Sequence, residues 1–190
     1  MRIFEKIDLK PFMNHKVIYE KLPEEGTEFG LDNICILKED FKFRREERIN
    51  GIEFRFETGE TDNIMCEKQS LKVGETIKKL HLVGFAYWGN IHDFLRIIYA
   101  DGEEAMLKVG LADWSHSADA EIYIREFFKE DDISTAKIVL SSGRFSHLVY
   151  FHLFSGEVKA DKPIREIILP DNMFMHIFAI TLERESEDID

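Results

Sequence analysis

The sequence predicts an all-β fold, an antiparallel two-sheet β-sandwich, and three observations support that class. Several segments alternate apolar and polar residues at period two, as strands with one buried face do. Other short runs are apolar throughout, which is typical of strands covered on both faces. Turn residues interrupt these runs at short intervals, which favours a sandwich or barrel over an α/β fold with its long helical crossovers.

Two segments have clear strand periodicity. Ile52, Phe54 and Phe56 would point to one side of a strand, and the charged residues between them to the other. Residues 93–111 contain two apolar runs joined by Asp101-Gly102, a dipeptide that favours a tight turn between antiparallel strands. The sequence therefore predicts a half-buried strand at the first position and a β-hairpin at the second.

Four apolar runs are predicted to be central strands, either covered on both sides or lying at a dimer surface. They are residues 80–88, 147–154, 164–169 and 176–182. The second alternative leads to the expectation of a homodimer, because soluble oligomers are most often two-fold symmetric.

The chain is predicted to form one domain with a short tail. Its 190 residues, 44% of them hydrophobic, are enough to build one sizeable core. Residues 1–182 carry the predicted strands, whereas residues 183–190 are acidic and are expected to fray. Residues 117–129 fit a helix with Ser117 as its N-cap, or a strand, and that segment stays undecided.

Charge and hydropathy argue against two classes of partner. The formal net charge of -12 predicts no nucleic-acid partner, because such affinity depends on Lys and Arg displacing counterions. No apolar leader follows Met1, and no stretch approaches the ~18 apolar residues of a membrane span, so we expect a cytoplasmic protein without membrane contact. Cys35 and Cys66 lie in apolar runs and are predicted to be buried free thiols.

No catalytic or transition-metal site is predicted. The seven histidines lack the spacing of zinc motifs, and no serine stands in a nucleophile-elbow sequence. A hard-cation site is a separate question, because calcium takes loop carboxylates and carbonyls with no fixed short signature. Asp62 and Asp101 stand in predicted turns and are the candidates for such a site.

The most informative side chains are two tryptophans at predicted strand ends. An indole ring can cover the apolar CH face of a sugar while nearby polar groups bind its hydroxyls. For Trp114 the favoured interpretation is a plug in the core beneath its turn, whereas for Trp88 the binding and core interpretations are equally open. The candidate ligand-binding residues are Trp88, Asn90, His92, Asp113, Trp114, His116 and Arg144.

A series of short motifs runs along the chain in a characteristic order. These are Asp8-Leu9 with Phe12 and Asn14, Gly51-Ile52-Glu53-Phe54, Asp62-Asn63-Ile64, Tyr99-Ala100-Asp101-Gly102, Asp113-Trp114, Leu169-Pro170 and His176-Ile177-Phe178-Ala179-Ile180-Thr181. The series covers residues 7–182 and resembles the galactose-binding-domain-like jelly-roll modules appended to bacterial glycoside hydrolases and related carbohydrate-active proteins. The resemblance implies a jelly roll with sugar binding in the loops at one end, and often a structural calcium ion.

Three functions follow as hypotheses. The first is a non-catalytic module that binds a carbohydrate or a similar polyhydroxylated ligand at one end of the sandwich. The second is an intracellular structural or interaction protein that self-associates through a sheet face. The third is a sugar-modifying enzyme with acidic residues in a concave cleft.

Overall fold

The computed structural model describes residues 2–115, 126–129, 131–159 and 161–185. Within these ranges the regular structure is almost entirely β, which confirms the all-β sandwich. A short 3₁₀ turn at Lys10–Phe12 and the helix α1 (Lys38–Phe41) are the exceptions among the named elements. No helix of the described ranges is long and apolar enough to cross a membrane.

The strands, in chain order, are β1 (Arg2–Lys6), β2 (Ile18–Tyr19), β3 (Ile34–Leu37), β4 (Glu46–Ile49), β5 (Ile52–Arg55), β6 (Ile64–Glu67), β7 (Ser70–Lys72), β8 (Lys79–Ala86), β9 (Ile91–Tyr99), β10 (Glu104–Leu111), β11 (Asp132–Gly143), β12 (Leu148–Glu157), β13 (Ile164–Ile168) and β14 (Asp171–Glu185).

A central sheet organises the molecule, with the strand order β1-β14-β8-β12-β11-β3-β2. The long strand β14 pairs with β8 along one edge, and with β6 and then β1 along the other. A second sheet has the order β10-β9-β13-β7, and β4 pairs with β5 as a separate hairpin. The described pairings between named strands are antiparallel except that of β2 with β3.

Both faces of the central sheet are buried along β8, where consecutive side chains point to opposite faces. On β8, Leu82 belongs to the core shared with the second sheet, where it meets residues such as Ile97 and Val109. The next residue, Val83, belongs to a second core on the opposite face, together with Phe54 of the β4–β5 hairpin. The central sheet is therefore the middle layer of the fold.

The second core is rich in aromatic rings. Phe85, Phe151 and Phe178 come from three neighbouring strands of the central sheet, with ring centroids 4.9 to 5.3 Å apart. Phe41 of α1 packs against Phe151 at 5.8 Å. Such tilted and edge-on pairs add to the stabilisation from burial, so this core fixes the N-terminal segment against the sheet.

Several sequence predictions are confirmed by these elements. The hairpin predicted over residues 93–111 is the β9–β10 pair, which turns at Asp101-Gly102. The predicted half-buried strand is β5, with Ile52 and Phe54 both buried. Both cysteines are buried and free, and burial raises the pKa of the Cys35 thiol to about 11.

The prediction for the doubly apolar runs needs one correction. Three of the runs became β8, β12 and β14 of the central sheet, and other parts of the same chain cover both of their faces, except that Leu148 at the start of β12 is 49% exposed. The fourth, β13, lies in the second sheet and leaves Arg165 exposed on its outer side. Because the covers come from within the chain, these strands give no argument for a dimer, and the homodimer stays a prediction.

The predicted frayed tail is wrong for its first three residues. Strand β14 continues to Glu185 and pairs with β1, so that Phe4 lies opposite Glu183 and Arg2 opposite Glu185. Glu183 is buried rather than solvated. Residues 186–190, and most of the undecided segment at 117–129, lie outside the described residues.

Candidate functional site

The connection from β8 to β9 carries the most exposed large apolar side chain of the described residues, Trp88, at 74% exposure. Trp88 and Gly89 both have left-handed backbones, with φ values of 73° and 110°. Glycine adopts this conformation without steric cost, but it is rare for a bulky residue. The turn therefore gives no conformational reason for a tryptophan at position 88.

Two of the predicted ligand-binding residues hold this turn in place. The Asp113 carboxylate accepts a hydrogen bond from the Gly89 N–H, and also from the Ser115 N–H and hydroxyl at 2.7 Å each. The Asn90 side-chain oxygen accepts the Asp113 N–H at 2.9 Å. Asp113 and Asn90 thus tie the β8–β9 turn to the segment that follows β10, and the exposed indole stands on a fixed support.

Tyr87 connects the turn to the N-terminal part of the chain. Its ring meets the Trp88 ring edge-on at 6.0 Å, and its hydroxyl donates a hydrogen bond to Asp32. Burial, aided by the Asp32 carboxylate, raises the pKa of Tyr87 to about 12. The hydroxyl therefore keeps its proton at neutral pH and holds Asp32 beside the turn.

Asp32 also lines an open cleft of about 570 Å³, a size typical of small-molecule sites. The lining combines aromatic rings with polar side chains, among them Tyr19, Phe29, Glu28, Asp32, Asn33 and Thr61. Tyr87 thus links the Trp88 ring, which it contacts edge-on, to Asp32, one residue of the cleft lining.

A buried polar network lies next to the cleft. Asp62 accepts hydrogen bonds from two backbone N–H groups at the start of β2 and from the Asn63 amide at 2.8 Å. The Asn63 side-chain oxygen lies 2.9 Å from His176 Nδ1, which therefore carries the proton. The His176 ring lies 4.9 Å from that of His15, a residue of the cleft lining.

Burial sets the charges of this network. It raises the pKa of Asp62 to about 6, although the donors around the carboxylate oppose the shift. Burial lowers the pKa of His176 to about 3 and also lowers that of His15. Both imidazoles are therefore neutral at physiological pH. The network is a set of buried, hydrogen-bonded polar side chains next to the cleft.

The two carboxylates predicted as calcium ligands have other partners in this structure. Both Asp62 oxygens already accept N–H groups, and the Asp101 carboxylate accepts the Glu103 N–H and pairs with Lys162 at 2.6 Å. Among the residues that the structure describes, no group of three or more His, Cys, Asp or Glu side chains is arranged to hold a metal ion. Calcium binding by this chain stays an untested prediction.

Trp114 lies in the core rather than on the surface. It is 2% exposed, and its ring packs against Phe85 at 5.3 Å and Tyr87 at 5.6 Å. The ring of His147 meets it at 5.2 Å with perpendicular planes. Its indole is therefore closed to a ligand, and the structure separates the two tryptophans that the sequence grouped together.

The remaining predicted ligand-binding residues that the structure describes contact residues other than Trp88. His92 stacks on Phe127 at 4.7 Å, and its Nε2 lies 2.5 Å from an Asp131 oxygen. Arg144 lies over the ring of Phe145 at 5.2 Å. His116 lies outside the described residues.

Two further apolar side chains are exposed near the turn. The register of β14 against β6 shifts between Asn172 and His176, and the extra residues include Met173 and Phe174, which are 57% and 41% exposed. The Phe174 carbonyl accepts the Tyr87 N–H at 2.8 Å. The surface around the β8–β9 turn, which we call the rim, therefore presents three exposed apolar side chains, Trp88, Met173 and Phe174. Tyr87 links this rim to the polar cleft.

Comparison with known protein families gives one match. Residues 45–186, about three quarters of the chain, match the family model of the AziU2-like β-sandwich domain. The chain belongs to this family. No curated protein matches it.

The AziU2-like match divides the candidate site into two parts. It includes the β8–β9 turn with Trp88, its supports Asn90 and Asp113, and Thr61 of the cleft. It begins after the segment that supplies Asp32 and most of the other lining residues. The cleft is therefore built largely by residues that precede the matched AziU2-like region.

Sequence reasoning missed Asp32, Tyr87 and the cleft. One local signal was present, because Asp32-Asn33 is a dipeptide that tolerates left-handed backbone, and both residues have positive φ angles, 49° and 61°. Nothing in the sequence joins that turn to Tyr87, which lies 55 positions away.

Proposed function

We propose that this AziU2-like domain is a binding module whose site at Trp88 holds a carbohydrate or another polyhydroxylated ligand without converting it chemically. The observation that carries the proposal is the 74% exposed indole on a left-handed backbone, in a turn that Asp113 holds and that Tyr87 links to a residue of a polar cleft.

The chemistry of the rim suits such a ligand. The apolar CH face of a sugar ring stacks on an exposed indole, and its hydroxyls need donors and acceptors around it. The side chains of Asp32, Asn33 and Thr61 in the cleft lining supply those groups. The resemblance to galactose-binding-like jelly rolls, which bind ligands in loops at one end of the sandwich, agrees with a site at the β8–β9 connection.

The strained backbone at Trp88 supports a functional interpretation. A non-glycine residue in a sparsely populated backbone region costs on the order of 1–3 kcal/mol and tends to occur at ligand sites. Gly or Asn would form the same turn at lower cost. A tryptophan that is both strained and exposed is best explained by contact with a ligand.

A second candidate function is an interaction protein that uses the same rim. Exposed Met173 and Phe174 extend the apolar surface beyond Trp88, and exposed apolar patches are typical of protein–protein contacts. This candidate predicts loss of self-association, rather than loss of sugar binding, when the rim is altered.

A binding screen with two alanine variants tests the proposal. We expect Trp88→Ala to weaken the affinity for a glycan ligand by about 1–3 kcal/mol, measured by isothermal titration calorimetry. Met106→Ala is the matched control, because Met106 is 60% exposed on the second sheet and should leave affinity unchanged. Absence of binding at millimolar concentrations across a broad glycan panel, with folded protein, would contradict the proposal.

A further inference from the structure

Near the end of β8 that lies far from Trp88, three neighbouring strands bring together a serine, a histidine and a glutamate. Ser155 on β12 lies opposite His81 on β8, and Glu183 lies on β14 at the other edge of β8. Ser155 Oγ is 2.8 Å from His81 Nδ1, and His81 Nε2 is 3.0 Å from a Glu183 oxygen. The three side chains form one continuous hydrogen-bonded series.

The direction of these hydrogen bonds follows from the chemistry of the groups. An ionised carboxylate only accepts, so His81 Nε2 carries the ring proton and donates to Glu183. Nδ1 of the neutral ring is then an acceptor, and the Ser155 hydroxyl donates to it. The serine proton therefore points at a base that is itself oriented by a carboxylate, the arrangement that activates serine nucleophiles.

Burial keeps this base neutral. The side chains of His81 and Glu183 are only 3% and 7% exposed. Burial lowers the pKa of His81 below its usual 6.5, and Glu183 opposes part of that shift. The imidazole is therefore unprotonated at neutral pH and can accept the serine proton.

A second serine–histidine pair in the same sheet lacks the carboxylate. Ser141 Oγ lies 3.1 Å from His147 Nδ1, but the opposite ring nitrogen of His147 has no hydrogen-bond partner among the described residues. Ser141 is fully buried, and its one hydroxyl proton can be donated to the His147 carbonyl oxygen, also at 3.1 Å, instead of to Nδ1. Ser141 therefore serves as an internal control, a serine that lies next to a histidine but lacks the carboxylate needed to orient that histidine.

Ser155 keeps some accessible surface, unlike Ser141. It contributes to the lining of a cleft of about 450 Å³, together with residues that include Lys79, Lys108 and Asp132. Lys79 and Lys108 have carboxylate neighbours at 3.5 and 3.3 Å, so neither is a free positive charge that would select an anionic substrate. The cleft suits a small neutral molecule.

We propose that Ser155 is a nucleophile, activated by His81 and oriented through Glu183, that accepts acyl groups from small neutral esters. This activity is independent of ligand binding at Trp88, because the two sites lie near opposite ends of β8.

The acyl transfer balances without any further reagent. Ser155 Oγ attacks the ester carbonyl carbon while His81 Nδ1 takes the hydroxyl proton. The tetrahedral intermediate collapses, the bond from the carbonyl carbon to the alcohol oxygen breaks, and the alcohol leaves with the proton from His81. Water then cleaves the acyl–serine ester by the same proton transfers in reverse order.

Site mapping on the unaltered chain tests this proposal. The protein is treated with p-nitrophenyl acetate, the release of p-nitrophenolate is followed, and the acetylated residue is located by peptide mass spectrometry. We expect acetylation at Ser155 and none at Ser141. Acetylation confined to lysines, or no acetylation of Ser155 in folded protein, overturns the proposal, and this result does not depend on whether any variant folds.

Variants of the serine and of the histidine test their two roles separately. Ser155→Ala should abolish serine acetylation, and His81→Gln should slow it by about 100-fold, the scale on which a positioned base contributes. Ser141→Ala should leave the rate unchanged. An unchanged rate in folded His81→Gln protein also overturns the proposal.

Glu183 acts only through His81, and its test is the pH profile of acetylation. Glu183 and Asp132 raise the pKa of His81, whereas Lys79 lowers it. Glu183→Gln should therefore move the midpoint of the acetylation rate to lower pH as well as slow the reaction. A slower reaction with an unmoved midpoint would assign Glu183 a purely structural role and contradict the proposed series.

Discussion

The Tyr87 hydroxyl donates a hydrogen bond to Asp32, and this contact joins the turn that carries Trp88 to the segment that lines the cleft. Asp32, like Trp88, has a left-handed backbone. The turn that carries the exposed indole is therefore linked through one hydrogen bond to a residue of the cleft lining.

Tyr87→Phe removes this hydrogen bond and keeps the aromatic ring. We expect ligand affinity to fall about three- to tenfold, in line with the ~0.5–1.5 kcal/mol that one such hydrogen bond contributes. Calorimetric titration measures the change. Asp32→Asn keeps an acceptor for the tyrosine hydroxyl, so a loss of affinity beyond that of Tyr87→Phe would come from the proposed contact between the Asp32 carboxylate and the ligand. Unchanged affinity in folded Tyr87→Phe protein would contradict the role given to this hydrogen bond.

Trp88→Gly should separate stability from binding. Glycine relieves the left-handed strain at this position, so we expect the free energy of unfolding to stay unchanged or rise by up to about 1 kcal/mol while ligand affinity is lost. Urea unfolding followed by circular dichroism measures the stability. Gly89→Ala is the opposite control: a Cβ there meets no atom within 4 Å, so its φ of 110° alone should lower stability by about 1 kcal/mol or more.

Trp114→Ala should have the reverse effect. The side chain is buried against Phe85 and Tyr87, and truncation of such a core residue costs about 3–5 kcal/mol. We expect a large fall in the urea midpoint of unfolding. At urea concentrations below that midpoint, the ligand affinity of the folded molecules should be unchanged. A stability loss under 1 kcal/mol would contradict the packing described for this residue.

Stability should fall on acidification, with Asp62 acting against the trend. The lowered pKa values of His176 and His15 mean that the unfolded chain gains their protons first, so stability is lost as pH falls below about 6.5. The raised pKa of Asp62 means that the folded chain gains that proton first, which favours folding as pH falls from about 6 toward 4.

The variant Asp62→Asn checks that sign. Without the opposing carboxylate, the loss of unfolding free energy between about pH 6.5 and about pH 4 should be steeper than in the unaltered chain. Urea unfolding at several pH values measures the slope, which is compared instead of the absolute stability because the substitution also alters hydrogen bonds. A shallower slope would show that the Asp62 pKa is not raised.

Strand periodicity made much of the fold predictable. Alternation around Ile52 and the turn at Asp101-Gly102 are local signals, and both were read correctly. The sequence could not predict that the β4–β5 hairpin covers the second face of β8. An apolar strand has the same sequence pattern whether its second face contacts a partner molecule or another part of the same chain. The prediction for the end of β14 was wrong because Glu183 is acidic, and its buried carboxylate has a hydrogen-bond partner, His81, that the sequence does not reveal.

The sites depend on contacts that sequence order hides. Trp88 was identified as a candidate, but its left-handed backbone and its link through Tyr87 to Asp32 depend on two segments meeting in space. The series formed by Ser155, His81 and Glu183 spans separations of 74 and 102 positions, and no short motif marks such residues. Register between neighbouring strands brings them together.

The most direct test of the binding proposal observes the two indole N–H signals of the ¹⁵N-labelled protein during glycan titration. The chain has two tryptophans, and Trp88→Phe assigns the signals because one of them disappears. We predict a saturable shift of the Trp88 signal while the signal of buried Trp114 stays in place. A Trp88 signal that stays fixed at millimolar concentrations across a broad glycan panel would contradict the proposal.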